Sequence, residues 1–202
     1  MPNHTEYVFY GLHGRPAAFT VPPVEATPDQ PLPAAAPILR ICAGAEEPAT
    51  VLLRSAREMV GVWRHAHEHR PLGREELEHL NEQMGLYTWF IDREAGGHTE
   101  QIAHAPEAPT APSSYGDWVS WLVRRYVLYA LRQHDPDLRQ RDSAELCWCI
   151  ESLDELVGAV RAGRLRLREQ ATGPRDSEFP PRRVWPSTDT EPTASQPDGD
   201  ES

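Results

Sequence analysis

The pattern of apolar residues predicts a helix-dominated α+β fold, with about four helices and a small antiparallel β-hairpin sheet. Three observations carry this expectation. Stretches near 48–70 and 114–134 repeat apolar residues at helical spacing. Stretches on either side of Gly11 and Gly14, and of Gly96-Gly97, read instead as short strand-like runs around glycine turns. The 202 residues also include 20 prolines, which implies that part of the chain lies outside any packed element.

Taken in order, residues 6–21, "EYVFYGLHGRPAAFTV", read as two short strands that pack on a main domain. Residues 22–37 hold six prolines and read as a semi-extended linker. "ILRIC", 38–42, alternates and reads as a further short strand. A helix then starts near Pro48, with Glu46 and Glu47 at the positive end of its dipole. Leu52, Ala56, Met59, Val60, Trp63 and Ala66 share one of its faces, and Pro71 and Gly73 stop it. A second helix, 74–86, carries Leu77, Leu80 and Met84 on one stripe and folds back on the first.

Residues 87–105, "YTWFIDREAGGHTEQIAHA", change period and predict a β-hairpin turning at Gly96-Gly97. A proline-rich loop at 106–112 leads to the strongest helix, 114–134. A last helix spans 142–162, capped by Asp142 or Ser143 and stopped at Gly163. Residues 38–170 thus form a single helical α+β domain. Residues 171–202 are acidic and proline-rich, and are expected to be disordered.

Composition bounds the function. The net charge of −11 opposes a phosphate backbone, so nucleic acid is not an expected partner. All 20 basic residues are arginine, as a GC-rich coding sequence would produce. Cys42, Cys147 and Cys149 are too few and too irregularly spaced for a disulfide framework or a zinc knuckle. There is no leader pattern and no run of about 18 apolar residues. A soluble cytoplasmic protein is expected, with no membrane association and no cofactor.

The stretch "WRHAHEHRP", 63–71, raises two chemical readings. His65 and His69 have the i, i+4 spacing of a metal pair, and Glu76-x-x-His79 has the spacing used in di-iron bundles. The helical phase turns these residues away from the apolar faces, so no metal site is expected. The segment "RHAHEH" resembles the R-polar-x3-H motif of HEPN-type ribonucleases. That resemblance implies an all-helical fold and metal-independent RNA cleavage, with Arg64 and His69 acting on the scissile phosphate. The order helix, "LGREELEHLNEQM" helix, hairpin, long helix is also faintly similar to the N-terminal domain of CGNR-type zinc-finger regulators. The CGNR signature and the family's C-terminal cysteines are missing.

The 114–134 helix has one unusual stripe. Trp121 and Leu128 fall among Asp117, Ser120, Arg124, Arg125 and Arg132, opposite the face of Val119, Leu122, Tyr126, Tyr129 and Ala130. A helix buried on most sides would place them inside. If exposed, they would form an apolar island ringed by arginine, a composition enriched at binding hot spots. Trp121, Arg124, Arg125, Leu128 and Arg132 are therefore the candidate binding residues. The expected function is that of a non-enzymatic accessory or regulatory protein acting through protein–protein binding or self-association. The alternative is the HEPN-like ribonuclease using Arg64 and His69.

Overall fold

A computed structural model describes the backbone of residues 6–11 and 15–20 and, with side chains, residues 21, 23–68 and 72–168. Five helices make up the body: α1 Ala35–Cys42, α2 Val51–Glu68, α3 Arg74–Thr99, α4 Tyr115–Arg132 and α5 Pro136–Arg161. The backbone of Glu6–Gly11 (β1) and Arg15–Thr20 (β2) runs as an antiparallel ribbon in the register Glu6 to Thr20. Among the described residues from 21 onward there is no strand, only an isolated bridge between Thr110 and Arg166. The expected α+β class is thereby corrected: the body is all-helical, with no sheet in its packing. The side chains of residues 1–20, and all of 169–202 including the expected tail, lie outside the described residues.

Two expected β segments are helical, each for a physical reason. "ILRIC" lies inside α1, where Ala35, Ile38 and Ile41 recur every third residue on the buried side. Three-residue spacing serves a helix face, whereas the alternation seen in five residues was too short to tell the two apart. Pro37 sits in the first turn, where no intrahelical N–H is required of it. Ala34 offers no side-chain cap; the Asp154 carboxylate of α5 accepts the Ala35 N–H instead, at 2.8 Å.

The expected hairpin at 87–105 is the second half of α3. Leu80, Met84, Thr88, Ile91, Ala95 and His98 continue one buried stripe through it. Gly96 and Gly97 both lie within the helix. At Gly97 the reason for glycine is close approach: an added Cβ would lie 2.9 Å from both the Ala26 carbonyl oxygen and Val24 Cγ1.

α4 is the central element. It packs against α1, α2, α3 and α5. Its start is fixed by a capping box, in which Ser114 accepts the Asp117 N–H and Asp117 accepts the Ser114 N–H. Gly116 lets the helix cross α3 closely, since a Cβ there would sit 2.5 Å from the Thr88 carbonyl oxygen. Trp118, Val119, Leu122 and Val123 are wholly enclosed. They meet Leu52, Ala56 and Met59 of α2, Ile91 and Ala95 of α3, and Leu153, Leu156 and Val160 of α5. Each such aliphatic or aromatic side chain stabilises the fold by roughly 1.5–3 kcal/mol.

α5 begins earlier than the sequence pattern indicated. Asp135, not Asp142 or Ser143, is its cap, accepting the N–H groups of Asp137 and Leu138, and Pro136 occupies the first helical position. Gly163, at φ 67°, closes it. Residues 23–37 make contacts with the helical body. Val21, Ala26 and Leu32 are buried, and the last residues of the segment already belong to α1.

Candidate functional site

Two regions concentrate polar side chains against the helical body. The first joins the end of α2 to α4 and α5. Arg64 forms an ion pair with Glu68 one turn on, at 3.0 Å, and is exposed. His65 Nε2 lies 2.5 Å from Glu76 Oε1 and ties α2 to the first turn of α3. His67 stacks on Trp63 at 5.8 Å between ring centroids. His69 lies outside the described residues. The Arg64–His69 pairing that the ribonuclease resemblance implies therefore falls outside the described residues. Among the described residues no three His, Cys, Asp or Glu side chains group so as to hold a metal ion.

The expected island on α4 faces inward. Trp121 is 6% exposed and Leu128 4%. Of the two placements the sequence allowed, the buried one is observed, as the central position of α4 requires. The arginines of the stripe join the same packing. The Arg124 guanidinium lies 5.2 Å from the Trp63 ring centroid and 5.3 Å from that of Trp121. Arg125 stacks on Trp121 at 4.1 Å and pairs with Glu145 of α5, which also receives Arg141. Arg132 Nη1 approaches the buried Asp142 at 3.7 Å. Planar guanidinium groups on indole faces gain cation–π attraction while their edges remain free for carboxylates. Beneath this stack lies Cys149, whose thiol pKa burial pushes up to about 12. The described geometry of these five residues is that of a brace between helices.

The second region was not singled out in the sequence. Residues 23–34 form no regular element, yet side chains from three helices hold this strap by its main chain. Glu94 of α3, itself 1% exposed, accepts the N–H of Glu25 and of Ala26, the latter at 2.9 Å. His98, one turn further along α3, donates from Nδ1 to the Gln30 carbonyl at 3.0 Å. Arg161 of α5 donates to the Leu32 carbonyl at 2.5 Å. The Tyr115 hydroxyl of α4 donates to the Pro33 carbonyl at 2.7 Å. Burial raises the Tyr115 pKa despite the opposing pull of Arg161, so this hydroxyl stays a donor. Asp154 accepts the Ala35 N–H where the strap enters α1. The strap reciprocates through the Glu25 carboxylate, which accepts the Val51 N–H at the start of α2 and pairs with Arg54 at 2.8 Å.

The groove also has a steric floor and an anchor. Gly97 admits the Ala26 backbone, and Leu32 is the largest strap side chain enclosed. Val24, Thr27, Asp29, Gln30 and Pro31 face outward. One sequence signal for this region existed. Glu94 lies between Ile91 and Ala95 on the apolar face of α3, and a carboxylate on an apolar face demands buried donors. That signal becomes readable only when 87–105 is taken as helix.

No helix of the described residues is long and apolar enough to cross a membrane. No protein-family model matches the chain, and no curated protein or solved structure is significantly similar to it.

Proposed function

We propose that this chain is a non-enzymatic binding protein that acts on a partner protein by holding an extended segment of it. The observation that supports this reading is the strap groove. Buried Glu94, His98 and Tyr115 of α3 and α4, with the exposed Arg161 of α5, meet main-chain N–H and C=O groups of an irregular, proline-punctuated segment, and one leucine supplies the anchor. Helix-borne side chains arranged this way recognise backbone geometry first and side chains second, which suits a peptide ligand. Side chains fixed on packed helices make a pre-organised site, which loses less freedom on binding. Three free thiols fit a reducing, cytoplasmic setting.

The test is a pair of assays on one preparation of the full chain. Extended proline-containing peptides are titrated against the wild type and against Glu94→Gln, and a structured RNA is incubated with the wild type and with Arg64→Ala. Saturable peptide binding that Glu94→Gln weakens supports the proposal. RNA cleavage lost in Arg64→Ala overturns it in favour of the ribonuclease.

A further inference from the structure

The peptide groove is filled by the protein's own chain. We infer that residues 23–34 are a tethered competitor, an autoinhibitory strap that closes the groove against an extended protein segment of the same pattern. The inferred ligand has a backbone punctuated by proline and one leucine at the Leu32 position. This inference rests on the binding role proposed above and adds its regulation.

Three features carry it. First, Glu94, His98, Arg161 and Tyr115 all address strap main chain, so another segment of similar backbone path can make the same bonds. Second, strap side chains from Val24 to Pro31 are mostly exposed, with Ala26 and Leu32 the enclosed ones. Exchange therefore displaces chiefly the Leu32 anchor, the Ala26 contact at Gly97 and the Glu25–Arg54 pair. Third, the Glu25 carboxylate caps the first turn of α2 at Val51. When the strap leaves, that cap leaves with it, and Thr50, which already accepts the Leu53 N–H at 3.3 Å, remains at the same helix end. Groove occupancy is thereby coupled to the start of α2.

A tethered segment competes at an effective concentration on the order of millimolar. A ligand in trans consequently binds with an affinity reduced by the fraction of molecules whose strap is open.

The experiment uses a fluorescent synthetic peptide spanning residues 21–34, titrated by anisotropy into full-length wild type and into Leu32→Ala. Leu32→Ala weakens the cis strap and leaves the groove intact, so the peptide should bind this variant at least about tenfold more tightly. Adding Glu94→Gln to Leu32→Ala should remove that gain. Equal affinity for wild type and Leu32→Ala overturns the autoinhibition and leaves the binding reading standing. No binding to either, while amide exchange shows the Leu32→Ala strap released, overturns the binding reading itself. If Leu32→Ala does not fold, the wild type decides. Saturating peptide must then accelerate exchange of the Glu25 and Ala26 amides, and unchanged protection overturns the inference.

Discussion

Replacing Trp121 by alanine separates a packed α4 from one that presents a contact surface. Trp121 is 6% exposed, and its ring carries the guanidinium of Arg125 at 4.1 Å and that of Arg124 at 5.3 Å. Truncating a buried tryptophan to alanine costs about 3–5 kcal/mol through lost transfer energy and the cavity left behind. Each stacked guanidinium adds roughly 0.5–1 kcal/mol at a partly exposed site. Together these give an expected loss of about 4–7 kcal/mol, a large share of the 5–15 kcal/mol typical of whole domains. Urea denaturation followed by circular dichroism measures it. Trp121→Phe fills most of the site and keeps an aromatic face, so it should lose well under half as much. A Trp121→Ala protein whose unfolding free energy stays within about 1 kcal/mol of wild type would refute the packing argument and restore the exposed-patch reading.

Gly97→Ala should loosen the strap, because the new Cβ meets Ala26 O and Val24 Cγ1 at 2.9 Å. Overpacking of about 1–3 kcal/mol outweighs the gain of up to about 1 kcal/mol in helix propensity, and faster exchange of the Ala26 amide reports it. Gly163→Ala should lower stability by about 1–3 kcal/mol, read from the thermal midpoint, because Gly163 has φ 67° and its Cβ would collide with the Ala103 carbonyl oxygen. Iodoacetamide at pH 8 should modify exposed Cys147 well before Cys149, as mapped by mass spectrometry, because burial holds the Cys149 thiol protonated. Stability should also fall at alkaline pH. Burial raises both Cys42 and Cys149 from 9.0 to about 12, so the unfolded chain releases those protons first. The stabilisation is complete below pH 9 and is lost as pH rises from 9 toward 12, with a slope of roughly 1.4 kcal/mol per pH unit and group. The double replacement Cys42→Ala, Cys149→Ala should flatten that slope in pH-dependent urea melts.

The parts of the fold legible in the sequence are those where local signals and packing agree. Ser114 and Asp117 form the cap that opens α4, and Leu52, Ala56 and Met59 mark the buried face of α2. Where the two disagree, packing wins. "YTWFI" combines β-branched and aromatic residues and is followed by Gly96-Gly97, so its local preference is for strand and turn. It is helical because Thr88, Ile91 and Ala95 extend the stripe of Leu80 and Met84, and because Gly97 is needed for the passage of the strap. The groove was hidden for a related reason. Its polar members, Glu94, His98, Tyr115, Asp154 and Arg161, come from three helices, and their common target is a proline-rich stretch that composition alone reads as unpacked. Prolines lack N–H donors, but the segment's remaining N–H and C=O groups still require partners once buried.

The absence of lysine takes on a physical meaning at one place in this body. A codon bias explains why Arg74, 92% exposed at its side chain, is arginine, since a lysine there could pair with Glu78 about as well. It does not describe Arg124 and Arg125. Arg124 faces both Trp63 and Trp121, and Arg125 covers Trp121 while holding Glu145. A lysine ammonium is a compact, strongly hydrated charge and cannot lie flat on an indole while also presenting an in-plane fork to a carboxylate. The stripe that composition marks as a binding surface is thus where arginine's planarity joins α2, α4 and α5, and that brace supports α4, whose Tyr115 faces the strap. The polar chemistry that remains aimed at a polypeptide backbone lies in the groove lined by Glu94, His98, Tyr115 and Arg161.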